Sequence, residues 1–172
     1  MSVLLIGITG STGDAIIKRL IAQGDEVRVV EDDSDSAERW RSLGAHVARP
    51  FHDMADLIER AAQNVRTVVI GDAAGHADDD VRAIISGAAA ARVERIVLYG
   101  MRAPQSTVEA VREFPLQHVV LSTGRRRLLG GGIDDESLAA AVDAADDIAG
   151  EPRLELDLSD PDAWPALGLT AP

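Results

Sequence analysis

The sequence predicts an α/β protein with a doubly wound, mainly parallel sheet and helices on both faces. Two observations predict this fold. Apolar, strand-like runs alternate with helical patterns along most of the 172 residues, and the run at 67–70 is β-branched and apolar on both faces. Such alternation is typical of βαβ units, and a strand without polar alternation is buried on both faces, as in the middle of a parallel sheet.

Each predicted element follows from a local pattern. The first helix carries apolar residues at 16, 17, 20 and 21, which is the spacing of one helix face. Gly24 and Gly44 follow the first two helices, where a C-terminal glycine is common. The predicted strands are 3–6, 27–30, 45–48, 67–70, 95–99, 118–121 and 153–158. The predicted helices are 14–22, 36–43, 54–63, 79–91, 107–113 and about 135–148.

The length predicts one compact domain with its own core. We expect this domain to span 1–158. The remaining residues, 159–172, hold Trp164, Leu167 and Leu169 among prolines. We expect this C-terminal tail to pack on the domain.

A glycine-rich turn joins the first strand to the first helix and carries most of the functional signal. Its residues are Gly7, Ile8, Thr9, Gly10, Ser11, Thr12 and Gly13. Glycines let the backbone approach a ligand, and the N–H groups and dipole of a helix N-terminus attract a pyrophosphate. The sequence therefore predicts a dinucleotide site here. The spacing G-x-x-G-x-x-G differs from the standard G-x-G-x-x-G, and glycines in this position also serve as plain turns.

An acidic run follows the second strand, about twenty residues beyond the glycines. Its first two members, Glu31 and Asp32, can accept hydrogen bonds from the ribose hydroxyls of the cofactor and would repel a 2′-phosphate. This favours NAD over NADP. The competing interpretation is a solvated loop, which consecutive acids often form.

Composition excludes several classes of function. A net charge of −12 argues against nucleic acid or an anionic membrane as partner. The absence of cysteine excludes disulfides and thiolate chemistry, and four scattered histidines predict no metal site. We see no signal peptide or transmembrane run, and therefore expect a cytoplasmic location. The sequence leaves open whether two copies of the chain form a homodimer.

On these motifs the chain resembles the atypical short-chain dehydrogenases, and among them the small NAD(P)-binding, NmrA-like proteins. The resemblance covers about residues 3–158, and the glycine motif is its most specific part. It implies a Rossmann domain that holds a dinucleotide at the carboxyl edge of the sheet. It also implies that Asp53 faces the adenine amino group and that the adenosine half of the cofactor passes over Ala73 and Ala74.

The chain also departs from this family. Many members use a tyrosine as general acid/base with a lysine four residues on, but here the single tyrosine is Tyr99 and the single lysine is Lys18. Many NmrA-like proteins carry, at the position of Glu31, an arginine that would serve NADP. The chain is also short after Gly132, where longer relatives build a substrate-binding lobe, so the sequence identifies no substrate.

Other residues are weaker candidates for chemistry. His52 and His76 follow strands at the functional edge and could donate a proton, and Asp72 could bind a hydroxyl. The cluster Arg125–Arg127 could receive a phosphate or a carboxylate. For each of them a loop, capping or solvated role competes with the functional interpretation.

Three functions remain in competition. The first is a small NAD(P)-dependent oxidoreductase without the tyrosine–lysine pair, in which hydride transfer depends on placement of the substrate. The second is a non-catalytic, dinucleotide-sensing regulator or partner subunit. The third is a Rossmann shell that has lost its cofactor and serves other chemistry. The sequence assigns no catalytic residue.

Overall fold

The computed structural model describes residues 1–49, 54–71, 78–100, 105–123 and 133–172. The strands are β1 Ser2–Ile6, β2 Glu26–Val30, β3 His46–Ala48, β4 Thr67–Ile70, β5 Arg95–Gly100, β6 Gln117–Ser122 and β7 Arg153–Asp157. The helices are α1 Gly10–Ala22, α2 Ser34–Ser42, α3 Met54–Ala61, α4 Asp78–Ala90, α5 Gln105–Glu113 and α6 Asp135–Asp147, followed by a 3₁₀ helix Pro161–Leu167. Within the described ranges, no helix combines the length and the apolar character that crossing a bilayer requires.

The seven strands form one sheet in the order β3-β2-β1-β4-β5-β6-β7, and every neighbouring pair is parallel. The strand order reverses direction between β1 and β4, which is the switch point of a doubly wound sheet. Ile6 is in register with Val30 on one side and with Ile70 on the other. The residues that follow these three strands therefore meet at one edge. The predicted fold is confirmed.

Two hydrophobic cores cover the two faces of the sheet. Val3 and Leu5 of β1 join the core under α1, α2 and α6, whereas Leu4 and Ile6 join the core under α3, α4 and α5. Successive side chains of a strand point to opposite faces, so a strand in the middle of this sheet is apolar at most positions on both faces. This requirement explains the unbroken apolar runs of the sequence.

Helices α1, α2, α4 and α5 begin one to four residues earlier than the sequence predicts. Helix α1 begins at Gly10 rather than at 14, because Thr9 already has the extended backbone of an N-cap residue. Helix α2 begins at Ser34 rather than at 36. There a carboxylate oxygen of Asp33 accepts a hydrogen bond from the Ser36 N–H at 2.8 Å, which satisfies a free donor of the first turn.

The C-terminal tail contributes to the core under α1 and α6. Trp164 is 2% exposed, Leu167 is also buried, and the Trp164 indole N–H donates to the Leu158 carbonyl oxygen at 3.0 Å. Gly168 ends the 3₁₀ helix with a φ of +71°, a backbone conformation that favours glycine. The tail is therefore packed on the sheet domain through a large aromatic side chain.

Two arginines fix the last turn of α6 at the amino edge of the sheet. The buried Arg95 guanidinium donates to the carbonyl oxygens of Ala145 and Ile148 at 3.0 and 2.8 Å. Arg66 forms ion pairs with Asp146 and Asp147. These bonds satisfy carbonyl groups that a helix end leaves free, and they hold in place the helix whose first turn contacts α1.

Candidate functional site

The turn between β1 and α1 lies at the carboxyl edge of the sheet, beside the switch point. Gly7 has a φ of +65° and Gly10 a φ of +54°, so both adopt a backbone conformation that side chains disfavour. Two such residues within four positions let the chain leave β1 and enter α1 without a longer loop. Glycine is therefore required here by the backbone itself.

The first turn of α1 is open toward solvent. Its first hydrogen bond runs from the Gly13 N–H to the Thr9 carbonyl oxygen at 2.9 Å, and the Thr9 side chain makes no capping bond. In the described part of the chain, the N–H groups of Gly10 and Ser11 donate to no acceptor, and the turn contains no acidic residue. Two free donors at the positive end of a helix dipole attract an anion.

The space in front of Gly10 is empty. A Cβ atom built on Gly10 would meet no heavy atom within 4 Å. Gly13 differs, because a Cβ there would lie 3.4 Å from Ile8 and from the Trp40 ring, which is ordinary contact. Gly10 thus faces open space at the site, and Gly13 packs the helix on the core.

An acidic side chain braces α1 just below this turn. The Trp40 indole N–H donates to an Asp14 carboxylate oxygen at 3.2 Å, and Arg39 forms an ion pair with the same carboxylate. Trp40 is buried, so this contact ties α2 to α1 within one helical turn of Gly10. No sequence pattern predicts this contact, because residues 14 and 40 lie in different elements.

The first turns of α1 and α6 meet at a second bond. The Thr12 hydroxyl, on a residue only 7% exposed, donates to the Asp135 carboxylate. Beside this bond lies a cavity of about 340 Å³ lined by Ser11, Asp14, Ala15, Lys18, Asp134, Asp135 and Glu136. Its four carboxylates repel an anion, so the cavity itself does not suit a pyrophosphate, although it borders the open turn of α1 at Ser11.

The acids after β2 take three different positions. One oxygen of Glu31, Oε1, accepts hydrogen bonds from the N–H groups of Asp32 and Asp33 at 2.9 and 2.8 Å. Asp33 caps α2, and Asp32 is exposed. Glu31 shapes the loop with this oxygen, and its carboxyl group also lies beside that of Asp32.

The environment shifts the pKa values of these acids in opposite directions. Burial raises the pKa of Glu31 above its ordinary value, against the backbone N–H bond from Asp33. The hydrogen bond from the Ser36 N–H lowers the pKa of Asp33. Because β1 and β2 are neighbours in register, this acidic end of β2 stands beside the Gly7 turn.

Gly71, the Gly7 carbonyl group and the Tyr99 side chain pack closely together below the glycine turn. Gly71 directly follows β4, and its N–H donates to the Ile6 carbonyl oxygen at 2.8 Å. A Cβ on Gly71 would lie 2.5 Å from the Tyr99 hydroxyl oxygen, 2.7 Å from its ring carbon Cζ and 2.8 Å from the Gly7 carbonyl oxygen. Only glycine fits between the glycine turn and the 6% exposed Tyr99. No local pattern in the sequence identifies Gly71 as a site residue.

The structure brings together most of the predicted site residues. Gly7, Thr9, Gly10, Ser11, Thr12 and Gly13 form one turn, and Glu31 and Asp32 end the neighbouring strand. Lys18 is exposed on α1 beside the acidic cavity, whereas Tyr99 is buried under Gly71. The predictions for Asp53, Ala73 and Ala74 fall outside the described residues, as do His52, Asp72, His76 and Arg125–Arg127.

Compared by sequence, the chain matches no protein-family model and no curated protein. Compared by structure, it resembles ChuY, an anaerobillin reductase from Escherichia coli O157:H7, with a TM-score of 0.73 and 16% identity over 91% of this chain and 96% of that one. It resembles Citrobacter sp. triphenylmethane reductase complexed with NADP(H), with a TM-score of 0.73 and 14% identity over 91% and 69% of the two chains. The NADPH-dependent quinone oxidoreductase QOR2 from Escherichia coli gives a TM-score of 0.71 and 15% identity over 89% and 66%.

These likenesses extend over nearly the whole chain at low sequence identity. They establish the architecture and not the chemistry, because one fold hosts many functions. The chain therefore has the doubly wound, Rossmann-type α/β fold of these structures.

Proposed function

We propose that this protein binds a nicotinamide dinucleotide, NAD in preference to NADP, and acts as a small oxidoreductase. The observation that carries the proposal is the open first turn of α1. There the N–H groups of Gly10 and Ser11 have no acceptor among the described residues, and a Cβ on Gly10 would point into open space. A pyrophosphate has the charge and the acceptors that such a turn binds.

Each residue of the turn has a distinct proposed role. The N–H groups of Gly10 and Ser11 donate to the pyrophosphate, and Gly7 makes the turn that aims them. Gly13 allows α1 to pack against Trp40, since its own N–H is used inside the helix. Thr9 and Thr12 hold the turn through their backbone, and the Thr12 side chain anchors it to α6.

The preference for NAD rests on the end of β2. Exposed Asp32 and the second oxygen of Glu31 can accept hydrogen bonds from the adenosine ribose, and their charges repel a 2′-phosphate. The names of two structural neighbours contain NADP(H) or NADPH, so the acidic pair is the feature that would set this chain apart. We further propose that Asp53 faces the adenine and that Ala73 and Ala74 line the adenosine path.

The proposed chemistry differs from that of reductases with a tyrosine–lysine pair. When bound, the dinucleotide supplies or accepts a hydride. The chain orients the cofactor through the glycine turn, while Tyr99 is buried and Lys18 faces the acidic cavity. The proton of a reduction then comes from water or from a group on the substrate rather than from this pair.

The test measures affinity for NAD, NADH, NADP and NADPH by isothermal titration calorimetry on three variants and the native protein. Gly10→Val should weaken dinucleotide binding at least tenfold, about 1.4 kcal/mol, by filling the space before the helix. Gly24→Val is the matched control, since Gly24 also has a positive φ and open space around its Cβ, but at the other end of α1. Glu31→Arg should move the preference toward NADP.

The proposal fails if no dinucleotide binds, or if Gly10→Val binds as tightly as Gly24→Val. Urea unfolding of both valine variants separates loss of the site from loss of the fold. Turnover with a panel of carbonyl and enone substrates then tests the second half of the proposal. Binding without any turnover would contradict the oxidoreductase and leave a dinucleotide-binding protein.

A further inference from the structure

A second cavity, of about 350 Å³, lies at the β3 edge of the sheet and is lined by residues of α2, β3 and α3. Leu4, Ala48 and Ala61 supply apolar parts of its lining, and Arg28, Arg41 and His46 supply basic parts. This volume lies at the lower end of the range of small-molecule sites, and a mainly apolar lining with a few convergent polar groups is typical of them.

The cavity is separate from the proposed dinucleotide site. Leu4, Arg28 and His46 are register partners on three neighbouring strands, so they form one row across the sheet. The row lies two residues before the carboxyl ends of β1, β2 and β3, a distance of roughly 7 Å along the strands. This row therefore lies below the glycine turn, on the face away from α1, whereas Arg41 of α2 and Val47 line the cavity from the other face at the β3 edge.

The three basic side chains are held differently. The Arg28 guanidinium is fixed, because it donates to Glu26 at 2.9 Å and to the carbonyl oxygens of Ala61 and Gln63 at 3.1 and 2.8 Å. Arg41 and His46 are exposed, and within the described ranges neither side chain has a hydrogen bond or an ion pair. On a chain with a net charge of −12, free basic groups around one cavity are a local reversal of charge.

We propose that this cavity binds a small organic anion, with its carboxylate or phosphate on Arg41 and His46 and its apolar body over Leu4, Ala48 and Ala61. Arginine suits such a head group because its guanidinium offers paired donors to two oxygens. The Arg28 guanidinium is already paired with Glu26, so Arg41 and His46 are the groups that would bind the head group. This second site does not depend on the proposed dinucleotide function.

The test is an NMR titration of ¹⁵N-labelled protein with four probes: phenyl phosphate, benzoate, inorganic phosphate and benzylamine. The first two should shift the amide signals of His46, Val47 and Ala48. Inorganic phosphate, which lacks an apolar body, should bind at least tenfold more weakly, and benzylamine, which has the opposite charge, should produce no shifts there. The probe that binds more tightly, phenyl phosphate or benzoate, shows whether the site prefers a phosphate or a carboxylate head group.

Variants locate the site. The double variant Arg41→Gln/His46→Gln should weaken binding of the better probe at least tenfold. Arg153→Gln is the control, since Arg153 is an exposed arginine on the opposite edge strand β7. The titration is repeated with excess NADH, and the probe should still bind.

Several results would overturn the inference. These are the absence of binding by both phenyl phosphate and benzoate at millimolar concentration, equal shifts with benzylamine, and unchanged affinity in the double variant. Shifts at Gly10 and Ser11 with competition by NADH would instead place the probe in the glycine turn. That outcome would support the dinucleotide site while rejecting the second cavity, so the two proposals can fail separately.

Discussion

A methyl group on Gly71 is the smallest change that tests how the site is built. The added Cβ would lie 2.5 Å from the Tyr99 hydroxyl oxygen and 2.8 Å from the Gly7 carbonyl oxygen, and neither neighbour can move freely. The phenol is buried, and the carbonyl belongs to the turn that aims the α1 donors. Overpacking of this kind destabilises a protein by about 1–3 kcal/mol. We expect Gly71→Ala to destabilise the fold by this amount.

The same substitution should also weaken dinucleotide binding, because the Gly7 carbonyl must move away from the added Cβ and the turn would move with it. We expect at least a tenfold increase in Kd for NADH, measured by quenching of tryptophan fluorescence, and a lower unfolding free energy in urea. Gly13→Ala is the matched comparison. Its Cβ makes only ordinary 3.4 Å contacts inside a helix, so stability should be unchanged or raised by up to about 1 kcal/mol.

A double-mutant cycle identifies the clashing group. Tyr99→Leu removes the hydroxyl and the ring, so Gly71→Ala should be at least about 0.5 kcal/mol less damaging in that background. Equal stability and equal NADH affinity of Gly71→Ala and the native protein would refute the reasoning. Full additivity with Tyr99→Leu would show that the tyrosine is not the obstacle.

Three further predictions concern single side chains. Burial raises the pKa of the Asp146 carboxyl despite its pairing with Arg66, so the native state holds that proton more tightly than the unfolded chain does. The stability that the proton contributes is complete below the ordinary pKa of an aspartate and is lost as the pH rises through the higher pKa of the folded state. Relative to Asp146→Asn, the native protein should therefore lose unfolding free energy between pH 4 and pH 7 in urea titrations, and parallel curves would contradict this. Thr12→Val should destabilise by about 1–2 kcal/mol in the same assay, because it leaves Asp135 without its hydroxyl donor, and an unchanged midpoint would show that the bond contributes nothing. Tyr99→Phe and Lys18→Ala should each change kcat/KM less than tenfold once a substrate is found, and a hundredfold loss for both would restore an acid/base role.

Much of the fold could be predicted because its signals are local. The run 67–70 forms β4 within the predicted bounds, since a buried parallel strand is rich in β-branched and apolar residues on both faces. Helix starts were harder to place. Both α1 and α2 begin earlier than expected because a backbone conformation at Thr9 and a capping bond from Asp33 set the first residue, and apolar spacing does not detect either.

The site could be predicted in part for the same reason. The glycine turn is contiguous in sequence, so its spacing revealed it. Gly71 was missed because its requirement comes from Tyr99 and Gly7, which reach it from two other strands. The bond between Thr12 and Asp135 joins residues 123 positions apart, and nothing in either segment indicates the other.

The central claim is that the free donors at the start of α1 bind a dinucleotide pyrophosphate. The most direct measurement is a ¹H–¹⁵N NMR titration of the native protein with NADH that follows the amides of Gly10 and Ser11. We predict large downfield shifts and slower exchange with solvent at these two amides, saturating with the calorimetric Kd. Binding that leaves both amides unchanged, or no binding of NADH and NADPH at millimolar concentration, would contradict the account.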